Sequence, residues 1–391
     1  MSTATSGSGK GKVTAAVIGL GMGRGHLNSL LANPNVRLVG ACDKTPERID
    51  RVRTEHPELP ADLFFDDYQQ MIDRTKPDTV VIALPNFLHH PVTMYALKAG
   101  CHVLCEKPMA MNVCEAEEMR STADSLGRTL MINFSYRFKP TTLAMEKTIA
   151  AGQLGQIYFA STGWLRQNGI PRGVGWFYKK NMAGGGPLID LGVHRIDLAW
   201  YLMGRPKVAS VTGTTFQHFG PKQLEGYDVE DLAAGFVKFQ DGRCMQITVS
   251  WASFCETPEQ MWTELYGTDG AAIERNVGGG YQWSVKLLKE VAGYRIGGEP
   301  SNMPKQAPNS IDHFIDCIVN KRPPMATADD GLEVQRILDG LYTSAATGRE
   351  VRFDGVVPTG SAAVVPVRPV GTPVAGEPVT PPPGTPGPRP A

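Results

Sequence analysis

The sequence contains no unbroken apolar run as long as a bilayer crossing requires, which excludes a helical membrane span. It carries no excess of either charge, since 39 Lys and Arg balance 39 Asp and Glu. That balance removes the electrostatic footprint of a nucleic-acid or membrane-surface binder, and neither partner is expected. Cysteine is sparse: seven residues scattered through 391, an odd number. This favours free thiols in a reducing, cytoplasmic setting over a disulfide framework. Histidine and cysteine form no convincing metal cluster. Cys101-His102-x-x-Cys105 has the spacing of one, but it falls on an expected buried strand, where alternating side chains do not converge on an ion. Internal repeats are absent. Residues 1–12 lack the apolar centre of a secretory signal and read as a flexible leader.

The sequence does contain enough apolar residue, 42% of 391 positions, for more than one core. Short apolar runs at 13–18, 36–42, 79–83, 102–105 and 130–133 alternate with amphipathic segments at about 20–31, through Arg48 and Val52, and at about 91–99 and 113–126. Strands that are apolar on both faces, separated by helices, define a doubly wound parallel sheet over residues 13–140. Beyond it extended segments follow one another at 156–165, 208–219, 232–239, 244–251 and 261–266, with one helix at 187–202 and two more at 310–319 and 328–346. That succession predicts an α+β domain over 141–354 with a large, mostly antiparallel open sheet. Residues 355–391 are rich in Pro, Gly and Val and read as a disordered tail.

Gly19-Leu20-Gly21-Met22-Gly23-Arg24-Gly25 stands between the first strand and the first helix. Gly19 suits a tight turn, and Gly21 lets the backbone approach a pyrophosphate resting on the helix N-terminus. The third fingerprint position is Arg24 rather than Gly or Ala. Close helix–strand packing then falls to Gly23 or Gly25, and Arg24 is placed toward the pyrophosphate. Asp43 ends the next strand. It is expected on a ribose 2′-hydroxyl, favouring NAD, or else as a cap on the helix near Pro46. Lys44 and Arg48 lie close enough in sequence to keep NADP open.

Ligands of such sheets bind beyond the carboxyl ends of the strands. Three ends carry polar residues: Pro85-Asn86-x-x-His89, then Glu106-Lys107-Pro108, then Asn133 followed by Tyr136-Arg137. Further on, Gly184-Gly185-Gly186 leads to Asp190, Gly192, His194, Arg195 and Asp197 at the start of the helix at 187–202. Asp190 and His194 are spaced to share one helical face. Taken together, these motifs resemble the Gfo/Idh/MocA oxidoreductases over roughly residues 13–353.

The resemblance implies a Rossmann domain binding NAD or NADP and an α/β domain whose sheet often makes homo-oligomer contacts, as a dimer or tetramer. It implies hydride transfer at a sugar or polyol carbon, with Lys107, Asp190 and His194 at the reacting centre. His194 would act as general base for oxidation, with Asp190 orienting it, binding substrate, or both. Lys107 would polarise the reacting oxygen or itself carry the proton. Met22, Pro85, Asn86, His89 and Glu106 join the expected cofactor contacts, although Glu106 also reads as scaffold for the Lys107 loop. Arg195 and Asp197 read as structural. Tyr136, Arg137, Trp164, Arg166 and Trp176 supply the aromatic faces and fixed polar groups that sugars need. The expected activity is an NAD(P)-dependent dehydrogenase of a sugar, glycoside or cyclitol. An NAD-dependent glycosidase working through transient oxidation, or a non-catalytic dinucleotide-binding regulator, is the alternative.

Overall fold

The computed structural model describes residues 12–173, 175–303 and 309–353. The expected tail, and the leader apart from Lys12, lie outside the described residues. The first sheet contains β1 (Val13–Ile18), β2 (Val36–Cys42), β3 (Phe64–Phe65), β4 (Thr79–Ile82), β5 (His102–Cys105) and β6 (Leu130–Ile132). Its order is β3-β2-β1-β4-β5-β6, parallel throughout. Ala15, Ala16, Val17, Val80, Val81 and Ile82 are fully buried. Helices cover both faces of these strands, which is why their sequences run apolar without alternation. The connecting helices are α1 (Gly23–Ala32), α2 (Pro46–Glu55), α3 (Tyr68–Thr75), α4 (His89–Lys98) and α5 (Val113–Ser125). Strand order reverses between β1 and β4, opening a crevice at their carboxyl ends.

α6 (Pro140–Ala150) leads into the second sheet, made of β7 (Ile157–Arg166), β8 (Val208–Phe216), β9 (Leu232–Phe239), β10 (Cys244–Ser250), β11 (Glu259–Gly267), β12 (Gly270–Val277), β13 (Gln282–Val291), β14 (Tyr294–Gly298) and β15 (Val351–Arg352). Its order is β14-β13-β12-β11-β7-β10-β9-β8-β15, antiparallel except for the β7–β10 pair. The strands β12 to β14 were not expected from the sequence. β14 is exposed along its whole length, so no buried face imposes an apolar alternation there.

One face of this sheet carries α8 (Val193–Leu202) and α10 (Ala328–Thr347), with α7 (Lys180–Ala183) and α9 (Ser310–Asn320) nearby in the chain. α10 lies so close to β8 that a Cβ on Gly213 would fall 2.7 Å from the Leu341 carbonyl oxygen. The two domains are stitched at β6, where Ile132 N–H donates to Ala326 O at 3.3 Å, and at the start of α5, where Val113 N–H donates to Asp339 Oδ2 at 2.7 Å. Among the described residues no helix is long and apolar enough to cross a membrane.

Candidate active site

The glycine turn is shaped by steric exclusion. Gly19 has φ +91°, and a Cβ there would lie 2.2 Å from Ala83 O. A Cβ on Gly23 would lie 3.1 Å from Ala83 Cβ and 3.2 Å from Val17 Cγ1, so Gly23 provides the close helix–strand packing, while Gly25 faces open space. Met22, the N-cap of α1, is 64% exposed and makes no side-chain cap. The first N–H groups of α1 therefore remain available to an anion.

Arg24 departs from expectation. Its guanidinium pairs with Glu55 at the end of α2, and this carboxylate, not a pyrophosphate, fixes it. Arg48 takes the place beside the turn: its guanidinium lies about 3.7 Å from where a Gly21 Cβ would stand and 3.3 Å from Asp43 Oδ2. Asp43 accepts from Leu20 N–H at 2.7 Å and Thr45 N–H at 2.9 Å. It thus braces the glycine turn from the end of β2. It does not cap α2, whose N-cap is Thr45. Lys44 is exposed beside it.

Around the ends of β4 and β5 the polar residues fall into two groups. Pro85 leads into Asn86, which is buried and donates from Nδ2 to Ala183 O at 2.7 Å, a bond to the second domain. His89, one of the expected cofactor contacts, is instead fully buried. Its Nδ1 lies 2.7 Å from Pro108 O and its Nε2 2.9 Å from Leu84 O. Both ring nitrogens are committed to tying these two loops together, so it is a scaffold residue. Burial pushes its pKa down. Glu106 is also buried, within 2.7 Å of His26 Nε2, and it accepts from Asn133 Nδ2 at 2.6 Å.

Lys107 Nζ crosses the domain boundary and donates to both Asp190 O and Asp190 Oδ1 at 3.0 Å. The other carboxylate oxygen of Asp190 accepts from Trp251 Nε1 at 3.0 Å. Asp190 does not orient His194 through a hydrogen bond, which corrects one of its expected roles. The physical reason is a π-helical turn at Leu188–Gly192. It breaks the regular helical spacing on which a shared Asp190–His194 face depends. His194 is the second residue of α8, and its Nδ1 is buried without a hydrogen-bond partner. Burial pushes its pKa well below 6.5, and the nearby cations Lys107 and Arg195 push the same way. At neutral pH the ring is uncharged and can accept a proton.

Aromatic rings wall this centre. Tyr136 lies 4.9 Å from the His194 ring centroid, and Trp164 lies 6.0 Å from it. Trp164 Nε1 donates to Glu259 at 2.7 Å, and Arg166 pairs with the same carboxylate. Behind Tyr136, Lys139 Nζ sits 3.5 Å from its ring centroid and 3.4 Å from that of Trp283, with no hydrogen-bond partner. Burial, reinforced by Arg195, pushes the pKa of Lys139 down to about 6. Trp176 is half-buried and stacks on Phe177 at 4.0 Å. Arg137, expected on the substrate, is wholly buried in ion pairs with Asp197 and Asp330. That placement corrects the expectation, because the guanidinium is consumed in the core. Arg195 pairs with buried Glu274, in keeping with the structural reading of Arg195 and Asp197.

Sequence reasoning missed Trp251 and Glu230. Glu230 accepts from Gly186 N–H, Leu188 N–H and the Tyr342 hydroxyl, capping the turn that carries Asp190. Neither residue had a local signal; the only trace is Gly186, where a Cβ would strike Glu230 O at 2.1 Å. Trp251→Phe removes the indole donor to a carboxylate, an interaction of about 1.5–3 kcal/mol, and leaves a smaller ring in a buried site. The expected result is a fall in kcat of about tenfold or more, together with a lower Tm, read by steady-state kinetics below the unfolding transition beside calorimetry.

This geometry defines a two-domain dinucleotide oxidoreductase, and the comparisons with known proteins agree. Residues 13–134 match the oxidoreductase family's NAD-binding Rossmann fold, and residues 146–353 match its C-terminal alpha/beta domain. The chain belongs to the Gfo/Idh/MocA oxidoreductase family, and its cofactor is a nicotinamide dinucleotide. It is 32% identical to the D-glucoside 3-dehydrogenase of Escherichia coli (strain K12), over 84% of this chain and 93% of that one. It is 26% identical to the scyllo-inositol 2-dehydrogenase (NAD(+)) of Bacillus subtilis (strain 168), over 84% of this chain and 92% of that one. The crystal structure of aldose-aldose oxidoreductase from Caulobacter crescentus, complexed with glycerol, superposes with TM-score 0.74 at 27% identity, over 87% of this chain and 99% of that one.

Proposed function

We propose that the protein oxidises a secondary hydroxyl on the ring of a sugar, glycoside or cyclitol, with NAD preferred over NADP. The observation that carries this reading is Lys107 paired across the domain boundary to Asp190, beside the uncharged His194. A dinucleotide bound at the Gly19–Gly23 turn supplies the hydride acceptor. Gly21, Gly23, Arg48 and the N-terminus of α1 would hold its phosphates. Asp43 at the end of β2 would hydrogen-bond a ribose 2′-hydroxyl, and its carboxylate would repel a 2′-phosphate.

His194 Nε2 takes the hydroxyl proton, and the Lys107 ammonium stabilises the oxygen as negative charge develops on it. Asp190, fixed by Trp251, keeps Lys107 aimed at that oxygen. Tyr136, Trp164 and Arg166 form the wall against which the ring lies. The first domain, to about residue 140, holds the dinucleotide, and the second binds the substrate.

The protein works in the cytoplasm, a setting consistent with seven unpaired cysteines. It assembles as a homo-oligomer through the face of the second sheet opposite α8 and α10. Phe159 and Tyr266 lie 6.0 Å apart on that face, with Phe236 and half-buried Trp262 nearby. Trp262→Glu is expected to reduce the mass measured by light scattering to that of a smaller species.

The deciding experiment is a panel of glucosides, free aldoses and inositols with NAD or NADP, followed by reduced-nicotinamide absorbance and product analysis. Sustained NADH formation with a glycoside or cyclitol is expected. Release of free sugar at constant NADH would replace this reading with the glycosidase mechanism. Activity with NADP alone would overturn the role given to Asp43.

A further inference from the structure

The Glu106 carboxylate is 6% exposed and would be costly to bury without donors. It has three, from three separate elements. His26 Nε2 lies 2.7 Å from Oε1, Asn133 Nδ2 donates to the same oxygen at 2.6 Å, and the Lys107 backbone N–H donates to Oε2 at 3.2 Å. Although burial pushes the pKa of Glu106 up, the balance of these partners leaves it lowered, so the group is an anion. Asn133 stands at the end of β6, and Lys107 is the next residue in the chain. His26 alone arrives from α1, within the helical turn that begins at Gly23. Its one side-chain hydrogen bond among the described residues is with Glu106, and its side chain is partly buried.

We infer that His26 is a positioning residue: from the phosphate-binding end of α1 it fixes Glu106, and through Glu106 it holds the Lys107 loop. The chain of contacts is short and continuous. His26 grips Glu106, Glu106 grips the Lys107 backbone, and Lys107 Nζ reaches Asp190. The N-terminal turn of α1, which would hold a dinucleotide phosphate, therefore carries the residue that anchors the Lys107 loop. Without His26, Glu106 keeps only Asn133 and its own neighbour, and among the described residues no other hydrogen bond connects α1 to the loop. The inference rests on the role proposed above for Lys107.

The test compares full-length His26→Leu and His26→Gln with the wild type. Glutamine places an amide N–H near the position of Nε2, whereas leucine fills the space without a donor. Hydrogen–deuterium exchange of the loop around residues 106–112 is measured with saturating NAD, alongside Tm, kcat and KM. A hydrogen bond to a charged group, about 1.5–3 kcal/mol, corresponds to roughly ten- to hundredfold. His26→Leu is expected to speed loop exchange and lower kcat by factors of that order, with KM for NAD moving less than about threefold. His26→Gln is expected to recover most of both, and adding His26→Leu to Lys107→Met should cost nothing further in kcat. Unchanged loop exchange in His26→Leu, failure of glutamine to rescue, or multiplying losses in the double variant would each overturn the inference. If no alcohol is turned over by the wild type, the proposed function fails, and the exchange measurement still decides whether His26 holds the loop.

Discussion

His194→Asn lowers kcat by about 10²–10⁴-fold, the range typical of losing a positioned general base, while the dissociation constant for NAD stays near the wild-type value. Asparagine retains a polar side chain of similar reach but takes no proton at neutral pH. Lys107→Met should reduce kcat as well, but through loss of charge at the reacting oxygen. The two variants separate by pH. Burial holds the His194 pKa well below 6.5, so the uncharged, proton-accepting ring dominates in the wild type well into mildly acidic solution. The acid limb of kcat/KM should accordingly fall well under pH 6.5. Lys107→Met removes a cation that depresses the His194 pKa, so that limb moves upward in pH. In His194→Asn the limb disappears. A wild-type limb centred above pH 6.5, or a His194→Asn variant with full activity, would remove His194 from the chemistry.

The same burial has a consequence for stability. Below pH 6.5 the unfolded chain protonates at residue 194, whereas the folded protein does so only at lower pH. The unfolded state then binds more protons, and stability falls as pH drops through that window. Between pH 7 and pH 5, His194→Asn should lose less stability than the wild type. Calorimetry across that range gives the answer without reference to activity.

How much of this was legible in the sequence depended on how local the signal was. The runs at Val36–Cys42 and His102–Cys105 are continuous because helices bury both faces of the first sheet, and they were read with the observed bounds. α3, not expected from the sequence, is a short helix of eight residues, and its stripe of Tyr68, Met71 and Ile72 spans a single turn. β12 to β14 were missed because a half-exposed arm has no alternation to read. Gly23 was one of two candidates for the packing glycine, and the contact with Ala83 Cβ distinguishes it from Gly25. Trp251 and Glu230 reach their targets across 61 and 44 residues of sequence, and no local pattern records such a contact. Asp190 looked like the partner of His194 because regular helical spacing was assumed, and one π-turn changes that partner to Lys107 and Trp251.

Arg137 is the largest case of a local reading overruled by tertiary context, and Arg137→Met should carry the largest cost in stability. The residue follows a strand end near the crevice, where a guanidinium suits a sugar hydroxyl. Its side chain turns inward instead. Nη2 donates to Asp197 at 2.6 Å, Nη1 to Asp330 at 2.7 Å and to Met325 O at 2.6 Å. Removing one partner of a buried pair typically costs about 3–5 kcal/mol, because the remaining charge has nothing to compensate it. Asp330 keeps Arg205 at 2.8 Å, so the uncompensated group is Asp197, which is completely buried. Burial already raises the Asp197 pKa to about 6 against the pull of Arg137. A raised carboxyl pKa means that the stability associated with its proton is present below pH 3.8 and is lost as pH rises through the folded value. Without Arg137 that folded value climbs further, and the loss extends to higher pH. Arg137→Met should therefore be more destabilising at pH 8 than at pH 5, with a drop in Tm of roughly 5 °C at pH 8 for a cost of that size in a chain this long. Adding Asp197→Asn should return part of the loss, since a neutral amide no longer resists burial as an anion. If Arg137→Met instead left Tm within a degree or two and raised KM for the sugar tenfold, Arg137 would belong to the substrate wall, and the buried cluster would have to be held by Arg205 alone.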